Sequence, residues 1–204
     1  MGHRRDHEWL ETFEGDGADR YDAHSRWLRG MHQRTATRLA TLLPPGGRLL
    51  DVGAGPGRLL AQVAELRPDA FVTGVDRSQR MVELAGARLA PLAGTGAAPR
   101  TGGEPRARAL LGDVAALPVP DDSADVVSAV LTAHHWDDLR AGFAEIARVL
   151  TPGGSVLVVE MRGPAKHVAR AIRDAFASSA PRRRRVWVMG LPLLVGLEAP
   201  RSAR

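Results

Sequence analysis

Between Arg48 and Glu160 the chain alternates short apolar runs with stretches in which apolar residues recur every three or four positions. A short apolar run closed by Gly, Pro or Asp reads as a buried strand, and the three-to-four spacing reads as a helix with one apolar face. Five strands are predicted: Leu49-Leu50-Asp51-Val52, Ala70 to Val75, Ala107 to Leu111, Asp125 to Leu131 and Ser155 to Glu160. Helices are predicted over Ser25 to Leu43, ended by Pro44-Pro45-Gly46-Gly47, and over Arg58 to Leu66, Gln79 to Leu89 and Leu139 to Leu150. In the last of these Leu139, Phe143, Ile146 and Leu150 share a face. No internal repeat is present. Alternating strands and helices of this kind build a mostly parallel sheet covered on both sides, so the expected fold is α/β, a Rossmann-like three-layer αβα sandwich.

Outside that pattern the reading thins. Pro91 to Pro105, rich in Gly, Ala, Thr and Pro, is expected to be a loop. After Glu160, Lys166 to Ala177 predicts a helix, Arg182 to Arg185 is a run of charge, and Val186 to Leu197 is apolar but interrupted by Pro192. Three parts follow: residues 1–24 as an N-terminal lid segment, 25–160 as the core domain, and 161–204 as a C-terminal helix with a basic and apolar tail of open structure.

Composition narrows the field. A chain of 204 residues that is 44% hydrophobic can bury one sizeable core. It has no cysteine, which excludes disulfides, thiolate metal sites and cysteine nucleophiles and makes a reducing, cytoplasmic address the default expectation. Met1 to Glu11 is too polar for a secretory signal, and the longest apolar run, Val186 to Leu197, falls short of the roughly 20 residues that cross a bilayer. A net charge of +5 and a pI near 10.9 point weakly to a nucleic-acid partner, because the excess is arginine within an Ala-, Gly-, Arg- and Pro-rich composition.

The chemistry concentrates at the ends of the predicted strands. Leu49-Leu50-Asp51-Val52 empties into Gly53-Ala54-Gly55-Pro56-Gly57, glycines at alternate positions that let backbone approach a ligand closely. A dinucleotide fingerprint needs its third glycine at position 58, which is Arg58, so the spacing suits S-adenosylmethionine (SAM) better. Gly74-Val75-Asp76 ends the second strand with a carboxylate able to accept from both hydroxyls of a ribose; helix capping is its other, compatible use. Leu111-Gly112-Asp113-Val114 ends the third in the same way, with Asp113 suited to an exocyclic adenine amine and the Val114 N–H to a ring nitrogen.

Taken in order, Leu50 to Gly57, Gly74-Val75-Asp76-Arg77-Ser78, Gly112-Asp113 and Arg148-Val149-Leu150-Thr151-Pro152-Gly153-Gly154 resemble the motifs of class I SAM-dependent methyltransferases. The likeness is strongest to the small-molecule subgroup that includes the ubiquinone and menaquinone methyltransferases, and covers roughly Tyr21 to Glu160. The resemblance implies SAM as cofactor and a small-molecule methyl acceptor. It implies further that Gly53, Gly55 and Gly57 line the methionine part, with Asp51 near its ammonium, and that Ala54, Arg77 and Leu131 belong to the cofactor-binding set. Asp76 would hold the ribose, and Asp113 and Val114 the adenine. Met81 is open between stacking on the adenine and filling the core. Tyr21, Asp22 and His24 stand where related enzymes close a segment over SAM. Family members end their sheet with two further strands, the last antiparallel. Here one apolar run with Pro192 remains, so a seven-stranded type of sheet is expected that stops short at its C-terminal strands, or a truncated chain. An unfinished edge would favour a homodimer.

For the transfer itself the segment after the fourth strand, Leu131-Thr132-Ala133-His134-His135-Trp136-Asp137-Asp138, carries two histidines. A histidine titrates near neutrality and can take a proton from an acceptor, so His135, with His134 second, is the candidate general base; a role in bonding the loop or packing beside the cofactor stands against it. A metal site is disfavoured, since adjacent side chains diverge and no second cluster completes a ligand set. Three rival readings stay open. RNA methylation is one, although the segment after the fourth strand lacks the Pro-Pro-aromatic pattern of amine methylation and no cysteine serves C5 attack. A non-catalytic SAM-binding protein is the second, and weak contact of the tail with an anionic membrane surface the third.

Overall fold

The computed structural model describes residues 14–24, 28–94, 105–176, 182–188 and 191–201. The chain runs α1 (Gly15–His24), α2 (Arg29–Leu42), β1 (Arg48–Val52), α3 (Arg58–Leu66), β2 (Phe71–Asp76), α4 (Gln79–Ala93), β3 (Ala107–Leu111), β4 (Ala124–Val130), a 3₁₀ turn (Ala133–His135), α5 (Leu139–Val149), β5 (Leu150–Met161), α6 (Ala165–Ala175), β6 (Arg182–Val188) and β7 (Leu191–Pro200). The strands form one seven-stranded sheet in the order β3-β2-β1-β4-β5-β7-β6. β1 to β5 are parallel, and β7 runs antiparallel to both β5 and β6.

Alternation along the strands sorts the core into two layers. Leu49, Val72, Val126 and Leu157 face α2, α3 and α4, where they meet Leu39, Leu60, Val63 and Leu89. Leu50, Val52, Val127 and Val158 face the other way, against Phe143 and Ile146 of α5 and Val168 and Ile172 of α6. Period-two side chains on strands buried from both sides therefore account for the continuous apolar runs of the sequence. The chain moves outward from β1 to β2 and β3, then returns to start β4 on β1's other flank. Such a reversal opens a crevice at the C-terminal ends of the two central strands, and ligands bind there in open α/β sheets.

The C-terminal question is answered by the backbone. The apolar run and the arginine run before it form a hairpin, β6 and β7, that brings the sheet to seven strands. Pro192 is accommodated because β5 pairs with β7 only from Leu194 to Pro200, and β6 pairs irregularly between Val186 and Val188 where Pro192 stands. A residue that cannot donate a ladder bond is thus placed beside a bulge, beyond the central pairing. The unfinished edge that motivated the homodimer expectation is replaced by β6 as the outer strand of the sheet. The loop expected from Pro91 begins later: α4 continues through Pro91 to Ala93, while residues 95–104 lie outside the described residues. Among the described residues no helix is long and apolar enough to cross a membrane.

Candidate active site

A cavity of about 770 Å³ opens where the tips of β1 to β5 meet. Its wall takes Val52 and Gly53 from the exit of β1, Asp76 to Ser78 from β2, Gly112 to Ala115 from β3, Leu131, Thr132 and His134 to Asp138 from β4, and Met161 from β5. Most of the lining is apolar. Strands that are unrelated in sequence thus deliver one acid after another to a single edge.

The glycines of the first loop do different things. Gly53 (φ +68°), Gly55 (+52°) and Gly57 (+74°) all hold the left-handed conformation. A Cβ at Gly53 would lie 2.1 Å from Thr132 Oγ1, so this glycine lets the exits of β1 and β4 touch. A Cβ at Gly57 would lie 2.9 Å from that of Ala85, so this one lets the start of α3 lie against α4. At Gly55 a Cβ would meet nothing within 4 Å, which leaves a cradle of open space. Gly53 and Gly55 line the cavity, whereas Gly57 and Ala54, both expected beside the ligand, are not among its lining residues. Ala54 packs instead against Gly74 of β2, where an added Cβ would come within 2.9 Å of its own.

Asp76 ties this loop to β2. Its Oδ2 accepts from the Gly55 N–H at 2.7 Å and its Oδ1 from the Ser78 N–H at 3.0 Å, while Ser78 caps α4 by accepting from the Met81 N–H at 3.1 Å. Burial raises the Asp76 carboxyl above its usual range, and the two backbone donors pull against that shift. Asp113 accepts from the Ala115 N–H at 2.7 Å, which aims the turn after β3 into the cavity, and Gly112 leaves room for Pro118, which a Cβ would approach to 2.7 Å. Met81 is 2% exposed and lines the wall, so it belongs to both the core and the site. Arg77 also lines the wall and pairs with Asp137 at 3.8 Å.

Asp51 is placed differently from the expectation. Register puts it opposite Ser128 of β4, and its Oδ1 accepts from the Ser128 hydroxyl at 2.6 Å in a setting where Asp51 is 3% exposed. It is not among the cavity's lining residues. Burial pushes its carboxyl up to about 7; the Ser128 bond opposes the shift and the nearby Asp76 charge adds to it. Because the folded form holds this proton more tightly than the unfolded chain, the stabilisation is complete below about pH 4 and is lost as pH rises toward 7. Asp51→Asn is expected to remove that dependence, so that urea denaturation of variant and wild type diverges in the variant's favour by at most about 1.4 kcal/mol per pH unit from pH 4 to 7. Parallel curves over that range would contradict it.

The N-terminal segment is present as α1, whose Tyr21 lines the cavity. Burial and then the Asp76 charge raise the Tyr21 hydroxyl above its ordinary value. Asp22 anchors the helix: it pairs with Arg58 at 2.7 Å and Arg88 at 3.0 Å, and Arg88 also donates to the Pro56 carbonyl of the glycine loop. Asp19 adds a pair with Arg80 at 2.9 Å. The side chain of His24 and all of residues 1–13 lie outside the described residues.

Beyond β4 the backbone is forced. Leu131 has φ +55°, a left-handed conformation that costs a side-chain-bearing residue about 1 kcal/mol or more, and its N–H donates to Val159 at 2.8 Å. That kink turns Thr132 to His135 across the cavity. The His134 and His135 rings lie 3.9 Å apart, and Trp136 packs on Phe143 at 5.2 Å. Burial, then the charges of His134 and Arg77, lower the His135 imidazole to about 4, although Glu160 pulls the other way. Glu160 is fully buried, its Oε1 2.9 Å from His134 Nδ1. In the sequence Glu160 only ends the fifth strand; an acid closing an apolar strand at the same edge as Asp76 and Asp113 is the signal that points to it. Thr132, Trp136 and Met161, which carry no sequence motif, also line the cavity. The Arg148 to Gly154 motif, by contrast, contributes no lining residue: Arg148 bonds Glu145, Asp121 and the Leu117 and Val119 carbonyls, which fastens the β3–β4 connection to α5.

The description that matches residues 50–158 is that of a methyltransferase domain. The chain belongs to the class I SAM-dependent methyltransferase family. It is 34% identical over 137 residues to a demethylmenaquinone methyltransferase of Roseiflexus castenholzii, covering 67% of this chain and 52% of that protein. It is 36% identical over 136 residues to a 27-O-demethylrifamycin SV methyltransferase of Amycolatopsis mediterranei, covering 66% of this chain and 46% of that protein. This chain therefore spans about half the length of these relatives. Its fold superposes on the 4+2 cyclase SpnF with a TM-score of 0.68 at 20% identity, over 84% of this chain and 82% of that one.

Proposed function

We propose that this methyltransferase domain binds SAM along the tips of β1, β2 and β3 and moves its methyl group to a small, largely apolar acceptor in the same cavity, whose wall includes Tyr21, Leu28, Trp136 and Met161. The observation that carries the reading is the single cavity in which the open cradle at Gly55, the carboxylates of Asp76 and Asp113 and the histidine pair meet. The residues present suit the cofactor. Asp76 keeps acceptor capacity for ribose hydroxyls beyond its two backbone donors, Asp113 suits an amine, and Met81 and Val114 offer apolar surface to a base. SAM supplies an electrophilic methyl group, so the protein's work is to align the acceptor, exclude water and accept a proton. The apolar walls do the first two, and a neutral imidazole at the tip of β4 is suited to the third.

The names of the relatives support a small-molecule acceptor: one prints demethylmenaquinone, another a demethylated rifamycin oxygen, and others a C-methyltransferase of ubiquinone and menaquinone biosynthesis. Fold alone does not decide the reaction, as the cyclase shows. The test is calorimetric titration with SAM and S-adenosylhomocysteine, followed by transfer of labelled methyl from SAM to a set of hydroquinones and phenols. Micromolar binding with extraction of label into the organic phase is expected. Absence of binding at millimolar SAM would end the proposal, and binding without transfer to any of the set would favour a non-catalytic SAM-binding protein.

A further inference from the structure

The cations of this chain are unevenly neutralised. Arg38, Arg58, Arg67, Arg80, Arg88 and Arg148 each hold a carboxylate at 3.0 Å or closer. On α6 the exposed Lys166, Arg170 and Arg173, and the exposed Arg162 just before the helix, make no ion pair and no side-chain hydrogen bond among the described residues. The one acid of that helix, Asp174, is taken by Arg140 of α5 at 3.3 Å. Positions 166, 170 and 173 form one stripe about 10 Å long, while Val168 and Ile172 on the opposite side are buried in the core. Like charges three and four residues apart repel, and Lys166 adds a cation to the first turn, where the helix dipole favours anions. The stripe therefore costs α6 stability until something anionic covers it.

The stripe begins at the cavity. Met161 lines the wall yet is 42% exposed, and Arg162 follows it. On the α2 side of the sheet Leu28 lines the same wall, packs on Val159 and is followed by Arg29, an exposed cation also without a partner among the described residues. Tyr21 is a further lining residue with an exposed edge. An apolar opening edged by cations matches a surface that is anionic outside and apolar beneath. We propose that α6 and the rim of the cavity dock on an anionic phospholipid bilayer, with Arg29, Arg162, Lys166, Arg170 and Arg173 on the headgroup phosphates. The opening then meets the acyl boundary, and an apolar acceptor enters from the lipid. That use of the surface rests on the apolar-acceptor reading above, whereas the contact itself does not. Because the apolar side of α6 is committed to the core, the helix lies on the headgroups without inserting. A nucleic-acid duplex would engage the same charges, but the exposed Met161 beside them favours lipid, whose interior takes up apolar side chains. The membrane contact that the sequence suggested for the tail is thus carried by α6.

The experiment needs neither cofactor nor acceptor. The full chain is sedimented with vesicles of phosphatidylcholine alone or with about 30% phosphatidylglycerol, at about 0.1 M and about 0.5 M NaCl. Partitioning is expected onto the anionic vesicles at low salt, and neither onto phosphatidylcholine alone nor at high salt. Each cation at such a surface contributes about fivefold, so the combined variant Arg162→Gln, Lys166→Gln, Arg170→Gln and Arg173→Gln is expected to partition about 100-fold more weakly or worse. Its side chains are exposed and unpaired, so it should melt at or slightly above the wild type and bind S-adenosylhomocysteine equally well. Met161→Ser should weaken partitioning about threefold or more, which a contact confined to phosphates would not show. Three results would each overturn the proposal: no partitioning of the wild type onto anionic vesicles at low salt, partitioning that the combined variant retains, or tighter binding to an RNA duplex at matched phosphate concentration. Failure of the methyl-transfer reading shows separately, as absence of S-adenosylhomocysteine binding in protein that still partitions onto vesicles.

Discussion

Replacing Asp76 with alanine is expected to weaken binding of SAM and S-adenosylhomocysteine by at least about 100-fold in calorimetry. Hydrogen bonds to a charged group are worth about 1.5–3 kcal/mol each, and two hydroxyl donors on one carboxylate give about 3–6 kcal/mol, which exceeds the factor of 100. The variant also frees the Gly55 N–H that Asp76 now holds at 2.7 Å, so the cradle loses its brace as well as its acceptor. Asp76→Asn keeps an acceptor for that N–H and is expected to fall between the two. Glu83→Ala, an exposed position on α4 paired with Arg80, serves as the control and should bind as the wild type does. A change of less than threefold in Asp76→Ala would remove this residue, and with it the orientation of the cofactor, from the proposal.

Gly53→Ala should damage both the fold and the site. The new Cβ would lie 2.1 Å from Thr132 Oγ1 and 2.7 Å from Thr132 Cβ, and rotating the threonine side chain leaves the second contact in place. The exits of β1 and β4 must separate, and the left-handed conformation at φ +68° adds its own strain. Overpacking with backbone strain of this kind costs about 2–4 kcal/mol, or a fall in Tm of roughly 5–15 °C for a chain of this size. Gly55→Ala shares the left-handed φ but meets open space, so it should lose only about 1 kcal/mol while blocking close approach of a ligand. The double variant with Thr132→Ala should regain part of the loss at Gly53. A Gly53→Ala protein that melts with the wild type would refute the packing role, and a Gly55→Ala protein that binds SAM normally would refute the cradle.

The residues that were legible in the sequence are those whose local pattern has one structural solution. Leu49 to Val52 followed by glycines had to be a buried strand and a turn, and Asp76 and Asp113 ended apolar runs where a carboxylate has no core to enter. Glu160 ended a run in the same way but fell behind the others because its partner, His134, is 26 residues away and the pairing depends on how β5 lies beside β4. Asp51 shows the converse. Its place in the motif suggested a ligand contact, while the β1–β4 register gave it Ser128. Gly57 likewise belonged to the motif, yet its reason is a helix crossing at Ala85, an interaction between elements that no local reading contains.

By itself the sequence determined the α/β alternation, the glycine loop and the acidic strand ends, because side-chain periodicity and backbone freedom are properties of neighbouring residues. Tertiary structure alone decided which of those groups reach the cavity, how the Pro192 hairpin joins the sheet, and that His134 rather than His135 meets a buried acid. The physical reason is that register, sheet order and crossing contacts bring together residues far apart in the chain, and the energies that select them arise only once the two core layers are packed.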